Sequence, residues 1–188
     1  MSRPRNLLEE LCVLFLDIDG VLACTRSSIV VAGRPSINGE MIGDGMPHSL
    51  EPSCLARFDP VSLGLVREVC KETKCDVVLS SSWRVESPYS PGQFARRLDL
   101  PIIDFTPRLV GCRGDEIQDW LLNHREYAHY AILDDSADML ASQTEHLVKV
   151  SPYNGVLFED YIALLDILRG KLGGRRAFTQ INSLEWED

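Results

Sequence analysis

Leu14-Phe15-Leu16-Asp17-Ile18-Asp19-Gly20-Val21-Leu22 is the stretch on which the reading of the fold turns. Val13 to Leu16 are continuously apolar, the pattern of a strand buried on both faces, and they deliver two carboxylates, Asp17 and Asp19, at the strand's carboxyl end. In an open parallel sheet those ends form the ligand crevice, so both acids are candidates to face a substrate or a cation. Gly20 then allows a sharp turn beside them. Taken alone, the same residues also fit acids that merely cap or solvate a turn.

A second run, Ala131-Ile132-Leu133-Asp134-Asp135, repeats the pattern, and Asp138 follows it. Several carboxylates at strand ends suit a hard cation. Mg2+ takes oxygen donors, keeps several waters and uses one or two protein carboxylates together with substrate phosphate. Without a cation, so many like charges in one crevice repel one another and raise pKa values. Between the two acidic ends lies Asp76-Val77-Val78-Leu79, a third apolar strand, followed by Ser80-Ser81-Ser82-Trp83-Arg84. Serines at a strand end donate hydrogen bonds to a phosphoryl oxygen without adding charge, although a serine run alone is equally a turn.

In this order, D-I-D-G-V-L, V-V-L-S-S-S-W-R, the basic residue Arg113 and I-L-D-D resemble the four motifs of the haloacid dehalogenase (HAD) superfamily, over roughly residues 12 to 165. Within it, S-S-S-W-R and Arg113-Gly114-Asp115-Glu116-Ile117, followed by Trp120-Leu121, look most like the small HAD domains associated with nucleic-acid repair. The phosphatase half of phage polynucleotide kinase-phosphatase is a more distant likeness. The resemblance implies a three-layer, Rossmann-like α/β fold, a mainly parallel sheet with helices on both faces.

It also implies a Mg2+-dependent phosphomonoesterase working through an aspartyl-phosphate. Asp17 would be the nucleophile and Asp19 the acid and then the base. Ser80, or failing it Ser81, would bind the phosphoryl group, and Arg113 would hold the charges together. Asp17, the Asp19 carbonyl, Asp134 and Asp135 would hold the metal, Asp135 directly or through water, with Asp138 behind them. Asp19 favours phosphoryl transfer over dehalogenation, because a dehalogenase has no leaving alkoxide to protonate. Arg84 has two readings, a contact to a second phosphate or nucleic-acid backbone, by its S-x-R spacing from Ser82, or a surface arginine stacked on Trp83.

Composition sets the remaining bounds. With 188 residues, 45% hydrophobic and 25% charged, the chain suffices for one α/β domain with its own core. The formal charge of −9 argues against broad, nonspecific attraction to a phosphate polymer. A nucleotide or nucleic-acid end, such as a 3′-phosphate, and a small phosphorylated metabolite therefore both stand as substrate classes. A non-catalytic HAD-fold binding module is the alternative outside enzymology. The six cysteines form no C-x-x-C pair and several sit inside apolar runs, which reads as reduced thiols in a cytoplasmic protein. No stretch has the length of a membrane span, and no obligate protein partner is evident.

The chain is expected to be one domain over 1–188. Residues 23–58 show no helical period and are expected as a flap or small cap inserted after the first strand. There Arg26 and Arg34 are open to two readings, substrate contact or solvated surface, and His48 and Cys54 have no zinc spacing. Asp59-Pro60 predicts a helix start, with Leu63, Val66, Val69 and Cys70 on its inner face. Helices are predicted over Gln93–Leu98, Asp115–Leu122 and from Glu159, with Gly170 as a stop, and strands over Pro101–Asp104 and Leu147–Val150. His124 and His129 flank the strand before Asp134 and read as solvated or core histidines. Residues 171–188, with Arg175 and Arg176, are expected as a tail.

Overall fold

The computed structural model describes residues 10–32 and 49–171. Five strands form one parallel sheet: β1 (Leu11–Leu16), β2 (Asp76–Leu79), β3 (Ile102–Phe105), β4 (Tyr127–Asp134) and β5 (Leu147–Lys149), in the order β3-β2-β1-β4-β5. The first strand is central, which is why Val13 to Leu16 have no exposed surface. The order reverses at β1, with β2 on one side and β4 on the other, so the crevice of this sheet opens at the carboxyl end of β1.

Alternation along β1 divides the core. Cys12, Leu14 and Leu16 join the larger cluster, which holds Val66, Val69 and Cys70 of α3 (Pro60–Thr73), Phe94 and Leu98 of α5 (Pro91–Leu98), and Leu164, Ile167 and Leu168 of α7 (Phe158–Leu168). Val13 and Phe15 point the other way, toward Ile117 and Trp120 of α6 (Arg113–Asn123). Phe15 meets Trp120 edge to face at 5.4 Å, a contact worth about 0.5–1.5 kcal/mol beyond its area. Helices therefore cover both faces, giving the three layers expected.

The local signals act as predicted at α3. Asp59 accepts from the backbone N–H groups of Val61 and Ser62 at 2.8 and 2.9 Å, and Pro60 stands in the first turn. Gly170 follows α7 with φ +75°. Among the described residues of 23–58, two helices stand where the sequence shows no helical period. Thr25–Ala32 form a helix, α1, despite the β-branched run at its end, and Pro52–Leu55 form the short α2. The α1 start is set by other contacts: the Ser27 and Ser28 hydroxyls donate to the carbonyls of Cys24 and Thr25, and the Thr25 and Arg26 N–H groups donate to Pro152 and Tyr153. Tertiary docking overrides propensity here. β4 begins four residues earlier than its apolar core, so His129 lies inside the strand.

Arg34, His48 and the proposed tail with Arg175 and Arg176 lie outside the described residues. All six cysteines are free thiols, and no helix among the described residues is long and apolar enough to cross a membrane.

Candidate active site

Strand register brings the acidic ends to one level. Leu16 pairs with Leu79 on one side and Leu133 on the other, so the next residue of each strand, Asp17, Ser80 and Asp134, comes out side by side. The Asp17 N–H donates to the Leu133 carbonyl at 3.0 Å and the Ser80 N–H to the Leu16 carbonyl at 3.0 Å, carrying the ladder one residue past the strands. Asp17 and Asp134 are thus neighbours although 117 residues separate them.

Asp17 is 5% exposed and Asp134 is fully buried. One oxygen from each of Asp17, Asp134 and Asp135 can be chosen so that all three lie within 4.8 Å of one another. The Asp17 Oδ1 accepts from Ile18 N–H at 2.7 Å, and the Asp134 Oδ1 accepts from Ser136 N–H at 2.8 Å. On the other side of the pair stands Arg113, whose Nη1 lies 3.0 Å from Asp17 Oδ2 and 3.0 Å from Asp134 Oδ2. Burial and the nearby Asp17 charge push the Asp134 carboxyl up to about 7, only partly opposed by Arg113. Asp135 is raised for the same two reasons. Burial works against the Arg113 charge, but Asp17 and Asp134 outweigh it and its pKa is raised. One guanidinium does not neutralise three crowded carboxylates.

Arg113 is the first residue of α6, which starts two residues earlier than the sequence suggests. Its N–H donates to Asp138 Oδ2 at 3.1 Å, and the Gly114 N–H donates to the Asp138 carbonyl. Asp138 therefore anchors the helix start that aims Arg113, and is not among the three clustered carboxylates. Gly20, with φ +74°, takes the turn after Asp19, and a Cβ there would fall against the Asp135 carboxylate.

Asp19 faces the same crevice, and its Oδ2 accepts from the Trp83 indole N–H at 3.1 Å and the Ser82 hydroxyl at 3.4 Å. A cleft of about 230 Å3 is lined by Asp17, Asp19, Ser82, Arg113, Asp135 and Tyr153, among others. Ser80 and Ser81 are fully buried and are not among the residues that line it. The Ser81 hydroxyl oxygen accepts from Trp83 N–H, whereas Ser80 Oγ has no hydrogen bond within the described protein. Ser82 is the serine on the cleft wall, and neither it nor Trp83 carries a site role in the sequence reading. The signal for both was their place directly after the serine pair.

Arg84 is not the surface arginine stacked on Trp83. Its side chain is 7% exposed and donates to the carbonyls of Ser81 at 2.6 Å, Thr106 at 3.0 Å and Pro107 at 3.5 Å, and to the Glu116 carboxylate. Glu116 in turn accepts from Leu109 N–H at 3.2 Å. The pair ties the 106–109 segment to α4 (Trp83–Glu86) and α6. Arg26 is likewise engaged, donating through Nε to Asp59 at 2.6 Å. His124 stacks on Trp120 at 3.8 Å and His129 meets Glu10 at 2.8 Å, both away from the crevice.

A family model described as the HAD domain in Swiss Army Knife RNA repair proteins matches residues 13–160. That range spans β1 to β5 and every residue of the acidic crevice. No curated protein and no solved structure matches the chain. With its motifs in order on the expected strands and most of its length matched, the chain belongs to the family of HAD domains found in Swiss Army Knife RNA repair proteins.

Proposed function

We propose that this domain is a Mg2+-dependent phosphomonoesterase that removes a terminal phosphate from a nucleotide or nucleic-acid end through an aspartyl-phosphate. The observation that carries the reading is the convergence of Asp17, Asp134 and Asp135 within 4.8 Å while Arg113 bridges Asp17 and Asp134. The donors are all carboxylate oxygens, and in their present company Asp134 and Asp135 are pushed toward the protonated form, so the set fits a hard divalent cation. Asp17, Asp134, Asp135 and the Asp19 carbonyl would hold it. When bound, the cation supplies positive charge between two anions that must meet, the Asp17 carboxylate and the phosphate.

The protein's own groups then divide the work. A carboxylate oxygen of Asp17 attacks phosphorus, and the bond from phosphorus to the leaving oxygen breaks as Asp19 gives that oxygen a proton. In the second half Asp19 takes a proton from water, which attacks the acyl phosphate, releases inorganic phosphate and restores Asp17. Arg113 keeps the Asp17 carboxylate oriented. Ser82 on the wall, and Ser80, whose hydroxyl has no partner among the described residues, would donate to phosphoryl oxygens.

Phosphate release from a 3′-phosphorylated oligoribonucleotide, a mononucleotide and a sugar phosphate, each with Mg2+, tests the reading. The oligonucleotide or the mononucleotide should be hydrolysed best, and Asp17→Asn should abolish turnover. Full activity in Asp17→Asn, or a preference for the sugar phosphate, would overturn the assignment of nucleophile or of substrate class respectively.

A further inference from the structure

Beside the catalytic crevice lies a second cleft of about 250 Å3, between the end of α4 and the 108–111 segment. Ser82 and Arg113 line both, so the two are neighbours and a substrate with its phosphate at Asp17 would reach past these side chains from one toward the other. Two large apolar side chains, Val85 and Leu109, line the second cleft and are 43% and 41% exposed. The charged lining is balanced: Arg84, Arg108 and Arg113 against Glu86, Glu116 and Asp138. Arg84 and Arg113 are already committed to carboxylates, and Asp138 accepts from the Arg113 backbone.

That balance decides between two parts of a nucleic acid. A neighbouring backbone phosphate needs a surplus of positive charge, and this cleft has none. A nucleobase needs apolar surface for its faces and hydrogen-bonding groups for its edge, which Val85 and Leu109 with their polar neighbours supply. A bare sugar could bond the polar neighbours but gains nothing from covering Val85 and Leu109, whereas a base uses both. Resting on the phosphatase reading above, we infer that this second cleft receives the base of the nucleotide that bears the scissile phosphate. The site thereby selects a nucleotide end over a phosphorylated sugar or polyol. The Arg84–Glu116 pair, through Thr106, Pro107 and Leu109, holds the 106–109 side of this cleft in place.

The test compares a 3′-phosphorylated oligoribonucleotide with the same strand made abasic at its terminal residue, using wild type and Leu109→Asp. Leu109 lies on an exposed segment, and unchanged thermal melting of the variant checks that it folds. Wild type should process the base-bearing strand at least tenfold faster in kcat/KM than the abasic one. Leu109→Asp should remove that preference, with the larger loss falling on the base-bearing strand. Equal rates on the two strands in wild type, or equal losses on both in the variant, would overturn the base-site assignment. Affinity of Asp17→Asn protein for the two strands decides the same question without turnover. If neither strand is hydrolysed yet the base-bearing one binds at least tenfold tighter, the catalytic reading fails and the base site stands. Equal affinities remove the base site.

Discussion

The indole N–H of Trp83 points at the Asp19 carboxylate, donating to Oδ2 at 3.1 Å. The ring that carries it is 2% exposed and held edge to face by Phe58 at 5.4 Å and by Phe94 at 6.4 Å, so the donor is fixed by the core and not by solvent. A buried aromatic thus sets the orientation of the acid proposed to serve the leaving group. Trp83→Phe keeps the packing and deletes the donor. A hydrogen bond to a charged group is worth about 1.5–3 kcal/mol, so kcat should fall about 10- to 100-fold with KM nearly constant. The loss should be largest for alkyl leaving groups and small for a nitrophenyl phosphate, whose leaving oxygen needs little protonation. Steady-state kinetics over a leaving-group series checks it, and a uniform loss would mean that Trp83 only supports the core.

Arg113 Nη1 lies 3.0 Å from an oxygen of each of two buried acids, and Met there would keep the stem but remove the charge. Two effects of opposite direction follow for Arg113→Met. Turnover should drop by roughly two to three orders of magnitude, as when a charge-stabilising donor is lost from a catalytic site. Affinity for Mg2+ should rise, because the cation no longer competes with a fixed guanidinium for Asp17 and Asp134. Titration calorimetry beside kinetics separates the two, and a fall in metal affinity would show that Arg113 organises the carboxylates more than it opposes the metal.

The sheet and the acidic crevice were legible because both rest on patterns that local sequence carries. Four apolar residues ending in Asp17 and three ending in Asp134 signal buried parallel strands, and parallel pairing makes strand ends coincide. What sequence could not carry were partners chosen by tertiary contact. Arg84 looked like a surface arginine because nothing local reveals that Glu116, thirty-two residues on, pairs with it. The helix at Thr25–Ala32 was hidden because its start depends on the carbonyls of Pro152 and Tyr153. Ser82 lines the cleft, whereas Ser80 and Ser81, at the same strand end, have no exposed surface.

The Arg84–Glu116 pair gives a stability prediction. Both side chains are nearly buried, and burial lowers the Arg84 pKa against the opposing pull of Glu116. Removing one partner strands a charge in the interior. Glu116→Ala should cost about 3–5 kcal/mol, and Arg84→Met with Glu116→Leu together should recover much of that, since apolar pairs of similar volume often replace buried ions without loss. Recovery should stay incomplete because Arg84 also serves the carbonyls of Ser81 and Thr106. Urea unfolding of the single and double variants measures the coupling, and strict additivity would mean the pair is not a unit.

Asp134 ties stability to pH and, on the proposed function, to metal. Its carboxyl has an ordinary value of 3.8 and is pushed up to about 7 in the fold, first by burial and then by Asp17, with the pull of Arg113 already included. A folded pKa above the unfolded one means that the native state holds its proton more tightly. The associated stability is therefore present below about pH 4 and is lost as pH rises toward 7. In metal-free protein, Asp134→Asn should leave melting unchanged near pH 4 and raise Tm by several degrees at pH 8, where the wild type holds an unfavourable buried anion. Added Mg2+ should stabilise the wild type far more at pH 8 than at pH 5, because below 7 the cation must displace a proton. The variant should lose most of that metal response. Thermal melts between pH 4 and 8, with chelator or Mg2+, check all three expectations, and a variant less stable than wild type at pH 8 without metal would show that the Arg113–Asp134 bond outweighs the burial it requires.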